Sequence, residues 1–238
     1  MVGVRSGHSA REPVTGISSM ATRQVLAELG ALYERRTGQP VTIESVGGVD
    51  AARRVQDGEA FDIVVLAADA IGLLATAGYV DPASRVELAR SGIAAAVAAG
   101  EPHPDISTEA ALRAAILGAR SIGYSTGPSG AHLSKLFERW GIAQSIASRT
   151  VKAPPGVPVG ALVARGEVAF GFQQLSELIH LPGIDVLGAM PDSVQSTTTF
   201  TAAICTAARQ REAAQALLSF LISRDADSSK VANGMTPA

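Results

Sequence analysis

The chain has 238 residues, enough to bury a sizeable hydrophobic core in one or two domains. It has 20 Lys and Arg against 22 Asp and Glu, a formal net charge of −2, and 4 % aromatic residues, which excludes a strongly basic nucleic-acid-binding protein that stacks bases. The single cysteine, Cys205, excludes a disulfide framework and a zinc site built from cysteines, and the four histidines lack the spacing of metal ligands.

The N-terminal segment, residues 1–12, is expected to be flexible. It carries basic residues but neither the apolar stretch nor the cleavage pattern of a secretory signal. Taken literally, this predicts a cytoplasmic protein; the alternative is a periplasmic protein whose signal was removed and replaced by a starting Met. No apolar run reaches the roughly 18 residues of a spanning helix, so we expect no insertion into a membrane.

The following part of the chain alternates helices and strands. Hydrophobic residues at helical spacing, a serine before them and a glycine after them predict the first helix. The predicted elements are a helix at about 20–36, a strand at 39–46, a short helix ending at 57 and a buried strand at 61–66.

The same order returns 108 residues later, an offset that carries Gly58 onto Gly166. It also carries Ser18-Ser19 onto Thr126-Gly127, Gly47-Gly48 onto Pro155-Gly156, and Asp69 onto Glu177. The second set of predicted elements is a strand at 121–125, a loop at 126–130, a helix beginning over 132–140, and strands at 150–153 and 168–172. A fixed offset of this kind predicts two similar α/β lobes.

Alternating strands and helices predict a parallel sheet in each lobe, with ligands bound beyond the C-terminal ends of the strands. We expect a two-lobed α/β fold of the type II periplasmic-binding-protein kind, with a hinge and an interlobe cleft. Segments 91–100 and 197–208 are the expected crossovers, and a final helix at about 210–222 returns to the first lobe. Lobe 1 would comprise residues 13–91 and 197–238, and lobe 2 residues 92–196.

Small polar loops at these strand ends are candidate anion-binding sites. Ser18 and Ser19 follow a strand and open a helix, an arrangement that presents hydroxyls and free backbone N–H groups. Thr126, Ser129 and Gly130 repeat it in the second lobe. Each serine could instead be an ordinary helix cap, but the equivalent positions of the two loops favour ligand binding.

Glycines and amides at other strand ends are further ligand-binding candidates. Gly47, Gly48 and Gly156 would let the backbone approach a ligand closely, or would simply form turns. Gln173 and Gln174 end a buried strand, so one amide should point to the cleft and the other away. The alternative for this pair is two solvated amides at the end of the strand.

Four other side chains carry chemistry that a cleft could use. Arg90 could pair with a carboxylate or remain solvated, and Tyr124 could donate a hydrogen bond or pack. His132 could act as acid or base or lie on a helix surface, and Glu177 could be a cleft carboxylate or a charge at a helix start. No Ser-His-Asp spacing or carboxylate pair stands out, so the residues indicate an anion cleft more clearly than a reaction.

Several stretches, taken in order, resemble the periplasmic molybdate-binding protein family. They are GISSMA, VTIESVGG, GEAFDIVVLAAD, ARSGIAAAVAAGEPHPDIST, SIGYSTGPSGAHLSKLFERWGIA and LVARGEVAFGFQQLSEL, within about residues 14–238. The resemblance implies the type II two-lobed solute-binding fold, in which hydroxyls and backbone amides of both lobes grip a tetrahedral oxyanion. It implies that Ser18 or Ser19 lies in the first of these loops.

The sequence departs from that family at two points. Gly47-Gly48 stands where the second loop is serine-rich, and Gln173 or Gln174 stands where a tyrosine is expected. The ARSGI and QQLSEL stretches look more like a branch that includes aconitate isomerase, an enzyme on this fold. That branch implies an unsaturated polycarboxylate ligand and an allylic shift of a proton, but no motif carries over a catalytic residue.

Two functions from different classes follow. The first is a cofactor-independent isomerase or tautomerase of a small unsaturated di- or tricarboxylate, with His132, Tyr124 and Glu177 as candidate bases. The second is the binding component of an ABC importer for a molybdate-like oxyanion or organic acid, with a membrane permease as its partner. The altered loops and the missing export signal favour the isomerase; a cytoplasmic anion sensor is a third possibility.

Overall fold

The computed structural model describes residues 11–154 and 156–238. Most of the segment expected to be flexible, residues 1–10, and the turn residue Pro155 lie outside the described residues. The described strands are β1 Val14–Ser19, β2 Val41–Val46, β3 Ile63–Ala67, β4 Val86–Ala98, β5 Ile122–Tyr124, β6 Thr150–Lys152, β7 Phe170–Gln174, β8 Ile184–Ala189, β9 Thr197–Ile204 and β10 Thr236–Pro237.

Helices connect these strands. They are α1 Arg23–Thr37, α2 Gly48–Gln56, α3 Ala68–Thr76, α4 Glu109–Gly118, α5 Pro128–Arg139, α6 Ala143–Ile146, α7 Val159–Ala164, α8 Leu175–Leu178, α9 Arg211–Leu221 and α10 Asp227–Ala232. The first predicted helix begins instead as a separate 3₁₀ turn, Met20–Thr22, and ends as predicted at Gly38. Gly38 has φ +70° and its N–H donates to the Glu34 carbonyl, which is the geometry of a glycine C-cap.

The predicted repeat is present in the strand order. The parallel arrangement β2-β1-β3 recurs as the parallel arrangement β6-β5-β7. In each set an antiparallel strand lies beside the last member, β9 beside β3 and β4 beside β7. The fold is therefore the predicted two-lobed α/β architecture, and the carboxyl ends of the parallel strands carry the loops that face the cleft.

Strand β4 belongs to both sheets. Residues 86–92 pair with β9, whereas residues 93–98 pair with β7 and β8. All of β9 pairs within the first sheet, so the chain returns between β8 and β9, at residues 190–196, rather than at the predicted 197–208. We use "first lobe" for the sheet that contains β1 and "second lobe" for the sheet that contains β5; the residue boundaries given above stay a prediction.

Each sheet is covered on both faces. In the first lobe, α1 and α9 pack on one face around Leu29, Leu88 and Leu217, and α2 and α3 pack on the other around Val64 and Leu74. In the second lobe, α4 and α5 bury one face of β5 and β7, and α7 buries the other. Burial of both faces explains why β3 is hydrophobic at successive positions rather than at alternate ones.

The buried carboxylate of Asp62 joins the N-terminal ends of β1 and β3 to the turn before α9. It accepts hydrogen bonds from the Thr15 N–H (2.9 Å) and hydroxyl (3.0 Å), and from the N–H groups of Arg209 (2.8 Å) and Gln210 (2.9 Å). Burial acts to raise the pKa of Asp62, but these four bonds hold it below its usual value. Asp62 is thus a structural residue at the end of the sheet opposite the cleft.

Candidate ligand site between the lobes

The two lobes meet where α8 of the second lobe packs against the 3₁₀ turn Met20–Thr22 of the first. Both elements directly follow a parallel strand, β7 and β1 respectively. A cavity of about 60 Å³ opens at this junction. Its lining includes Met20, Arg23 and Gln24 from the first lobe and Ser176, Glu177 and His180 from the second.

Three buried polar atoms at this junction have no hydrogen-bond partner among the described residues. They are Ser19 Oγ, Gln174 Oε1 and Ser176 Oγ. An unpaired buried polar group costs about 1–3 kcal/mol, and folded proteins seldom leave one unsatisfied. Because the three atoms come from the ends of β1 and β7, they mark the junction as a place where a polar ligand would complete the hydrogen bonding.

Ser18 and Ser19 have different surroundings although they are adjacent. The fully buried Ser18 hydroxyl lies 2.7 Å from the Ser45 hydroxyl, which joins β1 to β2. Ser19 occupies the cap position of the 3₁₀ turn, but its side chain makes no capping bond. The helix-cap alternative therefore does not describe either serine, and Ser19 is the one whose hydroxyl remains available.

Gly47 and Gly48 lie beside Ser19. Gly47 precedes α2 and Gly48 is its first residue. A Cβ atom at Gly48 would lie 3.8 Å from the Ser19 Cβ, so the two loops are in contact. This places the β1 and β2 strand ends together, as expected for parallel neighbours.

The β5–α5 loop is held by its own hydrogen bonds. The Ser129 hydroxyl lies inside α5, 3.1 Å from the Ser125 hydroxyl, which also accepts a 3.3 Å bond from the Gly127 N–H. Gly130 is required because a Cβ there would lie 1.6 Å from the Ser125 carbonyl oxygen. Thr126 is exposed. These predicted ligand residues are close to one another, but none of them lines the cavity at the junction.

Gln173 and Gln174 point to opposite sides of β7, and both are buried. Gln173 Oε1 accepts from the Val159 N–H (2.7 Å), and its Nε2 donates to Glu177 Oε1 (2.7 Å). Gln174 Nε2 donates to the Thr198 hydroxyl (2.7 Å) while its Oε1 is unpaired. Gln174 is therefore the amide with an unpaired oxygen at the junction, and Gln173 is the amide bonded to Glu177.

Glu177 lies in α8 and lines the cavity. Burial raises the pKa of its carboxyl to about 7, against the smaller opposing effect of the Gln173 hydrogen bond. A carboxyl group with a pKa near 7 exists in both protonation states near neutral pH. It can therefore accept a proton and return it, which suits general acid–base catalysis.

The other predicted candidates lie elsewhere. Arg90 is exposed and pairs with Glu87 at 3.1 Å, so it corresponds to the alternative in which this side chain remains solvated. Tyr124 is buried in the second core with its ring 5.9 Å from that of Phe137, which is the packing alternative. His132 Nε2 lies 2.8 Å from the Val194 carbonyl oxygen, a contact that holds α5 to the chain before β9. None of the three lines the junction cavity.

Gly156 has φ +77° and forms the turn before α7. This conformation identifies Gly156 as a turn residue, because residues that carry a side chain rarely adopt a positive φ. Its neighbour in the repeat, Pro155, lies outside the described residues.

Sequence reasoning missed Ser176 and Arg23. Ser176 lies two residues beyond Gln174, in the QQLSEL stretch, and its N–H donates to the Ser91 hydroxyl at 3.4 Å. Arg23 is the first residue of α1 and brings a cation to the cavity lining. Ser176 could have been found from its place after a buried strand, but Arg23 looks like any polar residue of an amphipathic helix.

Within residues 11–154 and 156–238, no three His, Cys, Asp or Glu side chains are grouped as a metal ion requires. No helix in that part of the chain is both long and apolar enough to cross a bilayer. Cys205 is buried, and burial, followed by the charge of Asp62, raises the pKa of its thiol to about 12.

Comparison with known proteins agrees with this architecture. The chain is 38 % identical over 237 residues to an aconitate isomerase from Pseudomonas sp. This match covers 96 % of this chain and 90 % of that protein. The periplasmic molybdate-binding protein of Azotobacter vinelandii superimposes with a TM-score of 0.79 at 19 % identity, over 94 % of this chain and 98 % of that one. The L-phospholactate-bound structure of PEB3, a Campylobacter jejuni protein, superimposes with a TM-score of 0.74 at 14 % identity, over 94 % of this chain and 100 % of that one.

A family model describing bacterial extracellular solute-binding proteins matches residues 14–236, nearly all of the described chain. This match covers both lobes and the junction between them. The chain therefore belongs to the family of bacterial extracellular solute-binding proteins.

Proposed function

We propose that the chain binds a small unsaturated polycarboxylate between its lobes and isomerises it by moving a proton. One observation carries this proposal: Glu177, with a pKa of about 7, lies at the junction where Ser19, Gln174 and Ser176 have unpaired polar atoms. The 38 % identity to an aconitate isomerase supports the same class of ligand. The proposed reaction needs no oxidant, reductant or second substrate.

The proposed chemistry is an allylic proton shift. The ionised Glu177 carboxylate removes a proton from the carbon between a carboxylate and the double bond, which leaves a delocalised anion. The proton on Glu177 exchanges with solvent, and protonated Glu177 then delivers a proton to the far carbon of the allylic unit, so the double bond moves and the Glu177 carboxylate is regenerated. The hydroxyls of Ser19 and Ser176 would donate hydrogen bonds to the charge that develops on the ligand carboxylates.

Gln174 and Arg23 would complete ligand binding. The Gln174 amide can present either its oxygen or its NH₂ group, because the Thr198 hydroxyl can accept or donate. Arg23 would pair with a ligand carboxylate at the cavity edge. Gly47 and Gly48 would keep the neighbouring loop close to Ser19 without side chains of their own.

The alternative is a solute-binding component of an ABC importer that closes on an anion without changing it. It is favoured by the likeness of the fold to proteins such as the Azotobacter vinelandii molybdate-binding protein. A membrane permease would then be the partner. We propose that the chain works outside the cytoplasm, since the family is one of extracellular proteins.

The first experiment is a thermal-shift screen of the purified chain, followed by NMR in D₂O. The panel contains molybdate, tungstate, sulfate, phosphate, citrate, and cis- and trans-aconitate. We expect an aconitate isomer to raise the Tm, to take up deuterium and to convert to the other isomer. A raised Tm with a chemically unchanged ligand would exclude the isomerase and favour the importer alternative.

Two variants assign the base. Glu177→Gln keeps the shape of the side chain but cannot take a proton, so we expect deuterium uptake to fall at least 100-fold. Glu101→Gln makes the same change at an exposed position and serves as the matched control. Equal activity of both variants would exclude Glu177 as the base.

A further inference from the structure

The amide of Gln173 is held in one orientation by its two hydrogen bonds. Its Oε1 accepts from the N–H of Val159, the first residue of α7, and its Nε2 donates to Glu177 Oε1, each at 2.7 Å. Turning the amide over would place NH₂ against the Val159 N–H, and two donors cannot bond to each other. The amide therefore cannot turn without losing both bonds.

This arrangement makes the two oxygens of Glu177 unequal. Oε1 always faces an N–H donor, so it acts as an acceptor in both protonation states of the carboxyl. Oε2 has no hydrogen-bond partner among residues 11–154 and 156–238, and Glu177 lines the cavity. A proton carried by this carboxyl therefore resides on Oε2.

We propose that Gln173 is a positioning residue, which fixes the Glu177 carboxyl so that Oε2 exchanges protons with an acid bound between the lobes. The inference rests on the proposed function for the identity of that acid. Both polar atoms of the Gln173 amide have partners within the chain, so it acts through Glu177 and does not touch the ligand itself. Gln174 differs because its partner Thr198 accepts either orientation of the amide.

The other charged groups near Glu177 are few. Arg23 and His180 line the same cavity. Strand β7 and helix α7, which pack against α8, have no charged side chain. On β8, Asp185 is bonded to the Gly100 N–H and His103, and on β4, Glu87 and Arg90 pair with each other. Gln173 is the neighbour that hydrogen-bonds to the Glu177 carboxyl.

The test compares Gln173→Glu with Gln173→Met. The first keeps an oxygen for the Val159 N–H but replaces the donor to Glu177 by a second carboxyl group; the second removes both bonds without adding charge. Gln144→Glu, at an exposed position of α6, is the control for the added charge. The measurements are the ¹³C NMR titration of Glu177, assigned with Glu177→Gln, and the pH profile of deuterium uptake by cis-aconitate.

Loss of the donor and the added carboxyl group both disfavour the ionised form, so we expect the titration midpoint of Glu177 to rise by about one pH unit or more in Gln173→Glu. The ionised fraction at pH 7 would fall from about one half to about one tenth, and the pH profile would move by the same interval. Gln173→Met should raise the midpoint less, and Gln144→Glu should leave it in place. An unchanged midpoint in folded Gln173→Glu would overturn the inference.

A measurement on the unmodified chain covers the case in which neither variant folds. The side-chain NH₂ signal of Gln173 should shift with pH at the midpoint of Glu177, and a signal that is constant between pH 5 and 8.5 would overturn the inference. Both NMR titrations are independent of turnover. If no acid is isomerised but the midpoint still moves, the proposed function fails and the positioning by Gln173 stands.

Discussion

Ser18 and Ser19 provide a matched pair for testing the site, because they are adjacent serines of which, in the described part of the chain, one has a hydrogen-bonded hydroxyl and the other does not. Ser18 Oγ is fully buried and lies 2.7 Å from Ser45 Oγ, whereas Ser19 Oγ is buried without a partner among the described residues. The perturbation is the same in both cases, replacement by alanine. It removes one hydroxyl and leaves the backbone path of β1 unchanged.

The expected magnitudes follow from those surroundings. Ser18→Ala loses the 2.7 Å bond to Ser45 and a longer 3.3 Å bond to the Ser19 carbonyl, and it leaves the Ser45 hydroxyl without this partner, so we expect the free energy of unfolding to fall by about 1–2 kcal/mol. Ser19→Ala removes a hydroxyl that is already unpaired in the free chain, so stability should change by less than about 0.5 kcal/mol or should increase. With ligand bound, loss of a bond to a carboxylate should weaken binding about 10- to 100-fold.

The assay combines urea unfolding of the free chain with calorimetric titration of cis-aconitate. For Ser19→Ala we expect an unchanged urea midpoint and a much larger Kd. For Ser18→Ala we expect a lower midpoint, with affinity affected only through the neighbouring loop.

The opposite pattern would contradict the assignment of Ser19 to a ligand site. If Ser19→Ala lowers stability as much as Ser18→Ala and leaves the Kd unchanged, then the Ser19 hydroxyl has a structural partner in solution. The unpaired atoms at the junction would then no longer indicate a ligand site.

Three further predictions concern stability. Asp62→Asn should lower the free energy of unfolding by about 2–4 kcal/mol in urea, and the wild type should lose this contribution as the pH falls below about 4, because the folded-state pKa is lowered. The pH dependence from Glu177 has the opposite sign, because its folded-state pKa is raised to about 7. Its contribution to stability is fully present below pH 4.5 and is lost as the pH rises to about 7. The urea midpoints of Glu177→Gln should lack this dependence. Gly130→Ala should lower the Tm by several degrees, because the new Cβ would meet the Ser125 carbonyl oxygen. Gly127→Ala is the control and should leave the Tm in place, because Gly127 has φ −80° and the nearest atom to its Cβ would be 3.6 Å away. Equal Tm values for the two variants would contradict this.

Much of the fold could be predicted because its signals are local. The strand predicted at 61–66 is observed as Ile63–Ala67, and the helix predicted at 210–222 as Arg211–Leu221. The offset of 108 residues reappears as the same parallel strand order in the two lobes. Hydrophobic spacing and glycine positions depend on neighbours within a few residues, so they can be recognised without knowing the tertiary structure.

The site was less predictable because it depends on contacts between distant segments. Gln173 and Gln174 look equivalent as letters, but β7 turns one toward Val159 and Glu177 and the other toward Thr198. Because alternate side chains of a strand point to opposite faces, the sequence predicted that the two amides would point apart. It did not predict which of the two would be bonded to Glu177. Likewise, the bond from Ser18 to Ser45 spans 27 residues, and only the pairing of β1 with β2 creates it.

Local hydrophobic spacing and backbone chemistry encode the alternation of strands and helices, the repetition of the lobes and the loops at the strand ends, so these features could be recognised in the sequence alone. The packing of distant segments makes β4 a member of both sheets and brings α8 against the Met20–Thr22 turn. The same packing leaves polar atoms unpaired among the described residues and buries the Glu177 carboxyl beside them. Burial and hydrogen-bond satisfaction are properties of the packed chain, because residues far apart in sequence supply the partners.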